Sequence, residues 1–183
     1  SPAITVLVQD AGGNTVTSST ATVAMAIGTN AGPGGVLSGT TSVDAVAGVA
    51  TFSTLSLDKA ANGYTIAASS GALTGATSNA FNISASVASK LAFLVQPTNV
   101  AGGAVFGANI KVQVLDSNNN LVGGSSAPVT MAIQTNPAAG TLAGTTTVNA
   151  VAGEATFSDL SIDKAGAGYV LRATSGALTL ADS

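Results

Sequence analysis

Apolar residues fall on alternate positions over short stretches along the whole chain. Ile4, Val6 and Val8 alternate with Thr5, Leu7 and Gln9, a period of two that turns one face of a strand inward. The same period recurs at Val23, Met25 and Ile27, and again at Val129, Met131 and Ile133. Tyr64, Ile66 and Ala68 continue it, as do Phe81 with Ile83, and Leu91, Phe93 and Val95. No helical period of useful length interrupts these stretches. The segments between them are turn chemistry: Asp10 to Asn14, Asp116 to Asn120, and a Gly/Pro-rich loop from Gly28 to Gly35. Pro97 lacks the N–H a ladder needs, so it ends its strand at a sheet edge. A full module then reads as seven strands: 90–96, 104–115, 127–134, 144–151, 154–162, 168–175 and an equivalent of 78–84. Short strands at that spacing predict an all-β, Greek-key β-sandwich.

The pattern occurs twice. Leu37–Leu73 and Leu142–Leu178 are identical at 25 of 37 positions, at a constant offset of 105. The core of the repeat is Ala45 to Tyr64, which returns as Ala150 to Tyr169. The loop of residues 134–140 is one residue shorter than its counterpart, as exposed loops allow. Two tandem modules follow, 1–86 and 90–183, with 87–89 as a short linker. Both copies contain a switch of parity, between Phe52 and Leu55 and between Phe157 and Leu160. One straight strand cannot bury both sets, which predicts a bulge or bend near Ser53-Thr54. Gly63-Tyr64 and Gly168-Tyr169 read as tyrosine corners, with the hydroxyl bonding upstream backbone. Phe52, Phe157, Phe81 and Phe93 join Tyr64 and Tyr169 as the expected structural anchors, with Val112, Val114, Met131, Ile133 and Leu171 also inward.

Register carries a further expectation. Ile4 aligns with Ile110 at an offset of 106, so the first module lacks a counterpart of Lys90–Phe106. At the other end the second module lacks a counterpart of Asn79–Ser89. The chain then reads as a window of a longer array, or as a subunit that exchanges strands. Ser1-Pro2 opens directly into strand-like sequence, which suggests a fragment or a processed chain.

Composition narrows the chemistry. Charged residues make up 7% of the chain, far below the roughly 25% of an ordinary domain, so Ser, Thr, Asn and Gly must hydrate the surface. Net charge is −3 and the five basic residues are scattered, so no nucleic-acid partner is expected. There is no His for general base work at neutral pH and no Cys for thiol or disulfide chemistry. No run of 18 apolar residues occurs, so no membrane insertion is expected. No GxSxG elbow or Walker loop is present. The eight carboxylates sit mostly at corresponding turns of separate modules, where a glycosidase would need two across one cleft. The chain reads as a non-enzyme without a cofactor.

Calcium is the acidic alternative, with Asp116, Asn118 and Asn120 as the candidate ligands. Asx-turn chemistry explains the same residues more simply. Asp58-Lys59 and Asp163-Lys164 read as solvated corners with a local charge pair. Lys59 lies in a polar turn, an unsuitable setting for a Lys–Asn isopeptide crosslink. Asn82-Ile83-Ser84 matches a glycosylation sequon within a strand, where the match is read as coincidence.

The run KLAFLVQP, followed by AGGAVF, VQVLDSNNNLV and TTTVNAVAGEATFSDLSIDKAGAGY, resembles the bacterial immunoglobulin-like, invasin-like tandem repeats of surface adhesins and extracellular filament proteins. The resemblance covers essentially the whole chain. It implies two Ig-like modules in an extracellular or cell-surface structural repeat whose partners are neighbouring copies or adjacent repeats. An adhesive or carbohydrate-binding module, with a glycan or host-surface ligand, is the alternative. Such a module would want exposed aromatics. The seven aromatics here, all Phe or Tyr, fall at or near core-parity positions.

Overall fold

Alternation is realised as strands throughout the computed structural model, which describes residues 3–183. Every regular element among these residues is a β-strand, arranged in several antiparallel sheets consistent with a β-sandwich, and no helix occurs. The chain divides into two units, Ser1–Ser84 and Ala85–Ser183.

The first unit contains β1 (Ile4–Leu7), β2 (Thr22–Ile27), β3 (Leu37–Ser38), β4 (Ser42–Asp44), β5 (Val49–Phe52), β6 (Ser56–Leu57), β7 (Ala61–Tyr64), β8 (Ile66–Ser69), β9 (Ala76–Thr77) and β10 (Phe81–Ile83). A four-stranded sheet runs β4-β2-β8-β9, and β1 pairs with β5. Smaller ladders join β3 to β6 and β7 to β10. Val8, Val23, Met25, Ala50, Phe52 and Ile66 form the core.

The second unit contains β11 (Lys90–Val95), β12 (Ile110–Leu115), β13 (Pro128–Thr135), β14 (Leu142–Ala143), β15 (Thr147–Asn149), β16 (Glu154–Phe157), β17 (Ser161–Ile162), β18 (Val170–Thr174) and β19 (Ala181–Asp182). Its four-stranded sheet, β15-β13-β18-β19, repeats that of the first unit. The opposing sheet has three strands, β11-β12-β16, where the first unit has two. Ile110, Val112 and Val114 are wholly buried in its core, beside Met131, Phe157 and Leu171. Ile133 and Tyr169 are half-buried.

The chain bends at Thr54 and at Asp159, where the parity switch calls for a bulge or bend, and there it changes sheet: β5 pairs with β1, whereas β6 pairs with β3. Likewise β16 pairs with β12 and β17 with β14. Phe157, Leu160 and Ile162 are all buried because the chain crosses between sheets there. The expected strand 104–115 is shorter, since only Ile110–Leu115 forms a ladder and Val105 makes an isolated bridge to Ser161. Ala61, Asn62 and Tyr64 pair with Ile83, Asn82 and Phe81 of β10.

Ser89, read as the end of the linker, bonds to the second unit. The Ser89 N–H donates to the Leu115 carbonyl, and the Thr179 N–H donates to the Ser89 carbonyl. Each unit also has a tight hairpin turn, Ala47-Gly48 and Ala152-Gly153, with φ of 53° and 78° in the first and 50° and 80° in the second. Two successive positive φ values are the signature of a type I′ turn, whose twist matches that of the flanking strands.

Candidate functional site

The residues most able to do chemistry are the carboxylates, and each one has a partner within its own unit. Asp10 accepts hydrogen bonds from the backbone N–H groups of Gly12 and Asn14, both at 2.9 Å. Asp116 is the counterpart of Asp10 and accepts from Asn118 and Asn120 N–H at 2.9 Å, and from the Asn120 side-chain amide at 3.0 Å. It also accepts from the Ser86 N–H at 2.9 Å, a bond that Asp10 does not have. Burial pushes the Asp116 carboxyl up, but the donors together outweigh this and hold its pKa at about 2. Asp10 is exposed, and its bonds to Asn14 hold it below the usual carboxylate range.

The corner acids clamp the ends of the loops 28–35 and 134–140. Asp58 accepts from Val36 N–H at 2.7 Å, and Asp163 from Thr141 N–H at 2.6 Å. Asp159 accepts from both the N–H and the hydroxyl of Thr145, and the hydrogen bonds hold its carboxyl low. Asp44 accepts from the Thr22 hydroxyl. Glu154 accepts from the Gln113 amide at 2.9 Å and lies 3.6 Å from Lys111. Asp182 holds Arg172 through two bonds of 2.7 Å, which raise the guanidinium pKa. These clamps span 10 to 41 residues of sequence, so only the Asx turns were legible from local pattern.

Asp116, Asn118 and Asn120 do come together, with Asn118 and Asn120 donating to the Asp116 carboxylate. The Asp116 carboxylate faces N–H donors, and calcium coordination would require oxygens there instead. Among the described residues no group of three or more His, Cys, Asp or Glu side chains comes together.

The aromatic residues are inward. Phe52, Tyr64 and Phe157 are buried, while Phe81, Phe93, Phe106 and Tyr169 are half-buried. The Tyr64 hydroxyl donates to the Lys59 carbonyl at 3.0 Å, and Tyr169 donates to Lys164 at 3.1 Å. That is the upstream backbone bond expected of a tyrosine corner. Phe81 stacks on Tyr64 with ring centroids 6.2 Å apart. Asn82, the residue of the sequon, accepts from the Gly63 N–H at 3.0 Å.

Each unit has an open hollow. In the first, a groove runs along β1 and is lined by Ile4, Val6, Met25, Ile66, Ala68 and Phe81. In the second, a hollow lies beside Phe106, Ile162, Tyr169 and Leu171. No acid lines the first of these stretches and no His or Cys exists to serve either.

No family model matches the chain, and no curated protein matches it. Among solved structures, the chain is similar to the β-glucuronidase of Parabacteroides merdae, at 14% identity and a TM-score of 0.39. A second structure of that enzyme, with glycerol in its active site, gives 15% and 0.40. The match covers 88% of this chain and only 20% of the enzyme, so the chain spans about a fifth of the protein it resembles.

Proposed function

We propose that the two units are Ig-like β-sandwich modules, and that the chain is a structural repeat of an extracellular or cell-surface fibre or stalk. In this reading its partners are neighbouring copies of the same repeat, joined head to tail. The observation that carries it is the use of the polar side chains. All eight carboxylates accept bonds from groups of their own unit. Two of these arrangements recur at matching positions, Asp10 with Asp116 and Asp58 with Asp163, and the Tyr64 hydroxyl bond recurs at Tyr169. The polar residues are committed to holding turns and loops rather than a ligand. Duplication of that scaffold suits a protein whose repeat is itself the function. The strand order supports the Ig-like assignment, because a three-stranded sheet opposite a four-stranded sheet is a common Ig-like plan.

Electron microscopy of the native material provides the test. Fibres or stalks with a regular axial repeat are expected, and a dispersed soluble domain would overturn the reading. A glycan array is the complementary measurement. Specific binding through residues 28–35 or 134–140 would replace the structural role with an adhesive one.

A further inference from the structure

The corner before Tyr64 holds the one Asn-Gly pair of the chain, Asn62-Gly63. Phe81 pairs with Tyr64 and Asn82 with Asn62, so Gly63 is the extra residue of a bulge, without a ladder partner of its own. Its φ of 94° lies in the left-handed region that favours glycine. In place of a main-chain acceptor, the Gly63 N–H donates across the strands to Asn82 Oδ1, at 3.0 Å. Asn62 is exposed, and no hydrogen bond holds its side-chain amide among the described residues. The bend itself needs only the glycine: in the second unit Gly168 has a φ of 85°, and Ala167 precedes it.

The turn asparagines are placed differently. The side-chain amides of Asn14, Asn30, Asn120 and Asn136 donate to Asp10, the Gly35 carbonyl, Asp116 and the Gly140 carbonyl. Each is followed by a residue with a side chain: Thr15, Ala31, Leu121 and Pro137. A side chain there shields the next nitrogen, whereas glycine leaves it open to close approach. Asn62-Gly63 therefore sets an electrophile beside an unshielded nucleophile. The Gly63 nitrogen gives its proton to solvent base and attacks Asn62 Cγ. The N–Cγ bond forms, the Cγ–Nδ2 bond breaks, and Nδ2 takes up protons from solvent and leaves as ammonia. Water then opens the cyclic imide. Attack at Cγ gives aspartate, and attack at the main-chain carbonyl gives isoaspartate, with the backbone rerouted through Cβ. Water is the only co-reactant, and nothing is oxidised or reduced.

We propose that Asn62-Gly63 is a self-modification site, converting to aspartate and isoaspartate, and that Asn82 is the positioning residue that holds this reaction back. The Asn82 carbonyl accepts the proton that must leave, and a hydrogen bond to the protonated form disfavours its loss. The same bond ties the Gly63 N–H to β10, so the bulge must open before the nitrogen can attack. Isoaspartate lengthens the main chain between Ala61 and Tyr64, whose ladder partners are Ile83 and Phe81. The Tyr64 ring, stacked on Phe81 with centroids 6.2 Å apart, then loses its register. The modified first unit is less stable than the parent, while the second unit, with Ala167 at the matching position, is unchanged. The site stands whether or not the chain forms part of an array.

The full chain, aged in mildly alkaline buffer, is digested after lysine, which releases Ala60–Lys90. Electron-transfer fragmentation of that peptide locates the deamidation and separates aspartate from isoaspartate. Asn62 should react before every other asparagine of the native chain, at a rate that rises with pH. Asn82→Ala should speed the reaction roughly three- to tenfold, the range for freeing one hydrogen-bonded N–H. Asn82→Asp keeps an acceptor and should react no faster than the parent, which covers the case in which Asn82→Ala fails to fold. In urea the Asn82 bond is lost, and parent and variants should share one rate, faster than that of the native parent. Another asparagine reacting first, a native rate equal to the rate in urea, an unchanged rate in Asn82→Ala, or a faster one in Asn82→Asp would each overturn the proposal.

Discussion

Asp116 shows how much one residue can depend on where the chain returns to it. Alone, its turn is the same as that of Asp10, and both accept from the residues two and four positions on. The Ser86 N–H and burial distinguish it. Its folded pKa of about 2 lies below the ordinary 3.8, so its bonds stabilise the fold fully above about pH 4. That contribution, about 2 kcal/mol, is lost as pH falls through about 2. Asp116→Asn should therefore cost roughly 1–3 kcal/mol at neutral pH, with the difference from the parent shrinking toward pH 2 in denaturant titrations. A difference that persists unchanged at low pH would show that the charge is not the cause. Gly153 is constrained differently. At φ 80° an added Cβ would sit 2.6 Å from the Val122 carbonyl oxygen. Gly153→Ala should cost about 1–3 kcal/mol, whereas Ala152→Gly, at φ 50°, should be neutral or stabilising. Equilibrium unfolding of the two variants compares them directly.

At the scale of the strand, alternation assigned faces well because one face of each sheet is buried. Ile110 and Val112 are wholly buried, while Lys111 between them reaches the surface to within 3.6 Å of Glu154. Phe157→Ala should cost about 3–5 kcal/mol and Lys111→Ala less than about 0.5; equal costs by chemical denaturation would mean the faces are misassigned. Partners were less legible than faces. Parity marks the irregularity after Phe52 and after Phe157, but it cannot say that Ser56–Leu57 leaves β1 to pair with Leu37–Ser38. That choice is made by closure of the sandwich, a non-local condition. The acids behave alike. The turn chemistry of Asp10 and Asp116 lies within five residues and can be read locally. The clamp from Asp58 to Val36 spans 22 residues and rests on how two loops meet. The tyrosine corners were readable because Gly-Tyr and the preceding turn lie within six residues of one another.

Across the whole chain, nearly the same module is packed to different extents in the two units. The second unit keeps Ile110 dry beneath β11, while the first leaves Ile4 partly in water. Fully burying an aliphatic side chain is worth about 1.5–3 kcal/mol, and β1 also lacks one ladder. Tyr64 is buried and stacked with Phe81, whereas Tyr169 is half-buried. With separate cores, the units should unfold in two steps, the first unit at the lower temperature. Scanning calorimetry on the full chain should resolve two transitions. Phe52→Leu and Phe157→Leu, each costing about 1 kcal/mol, should each move one of them by about 4–8 °C and leave the other in place. A single transition shifted by both substitutions would mean that the two cores fold as one.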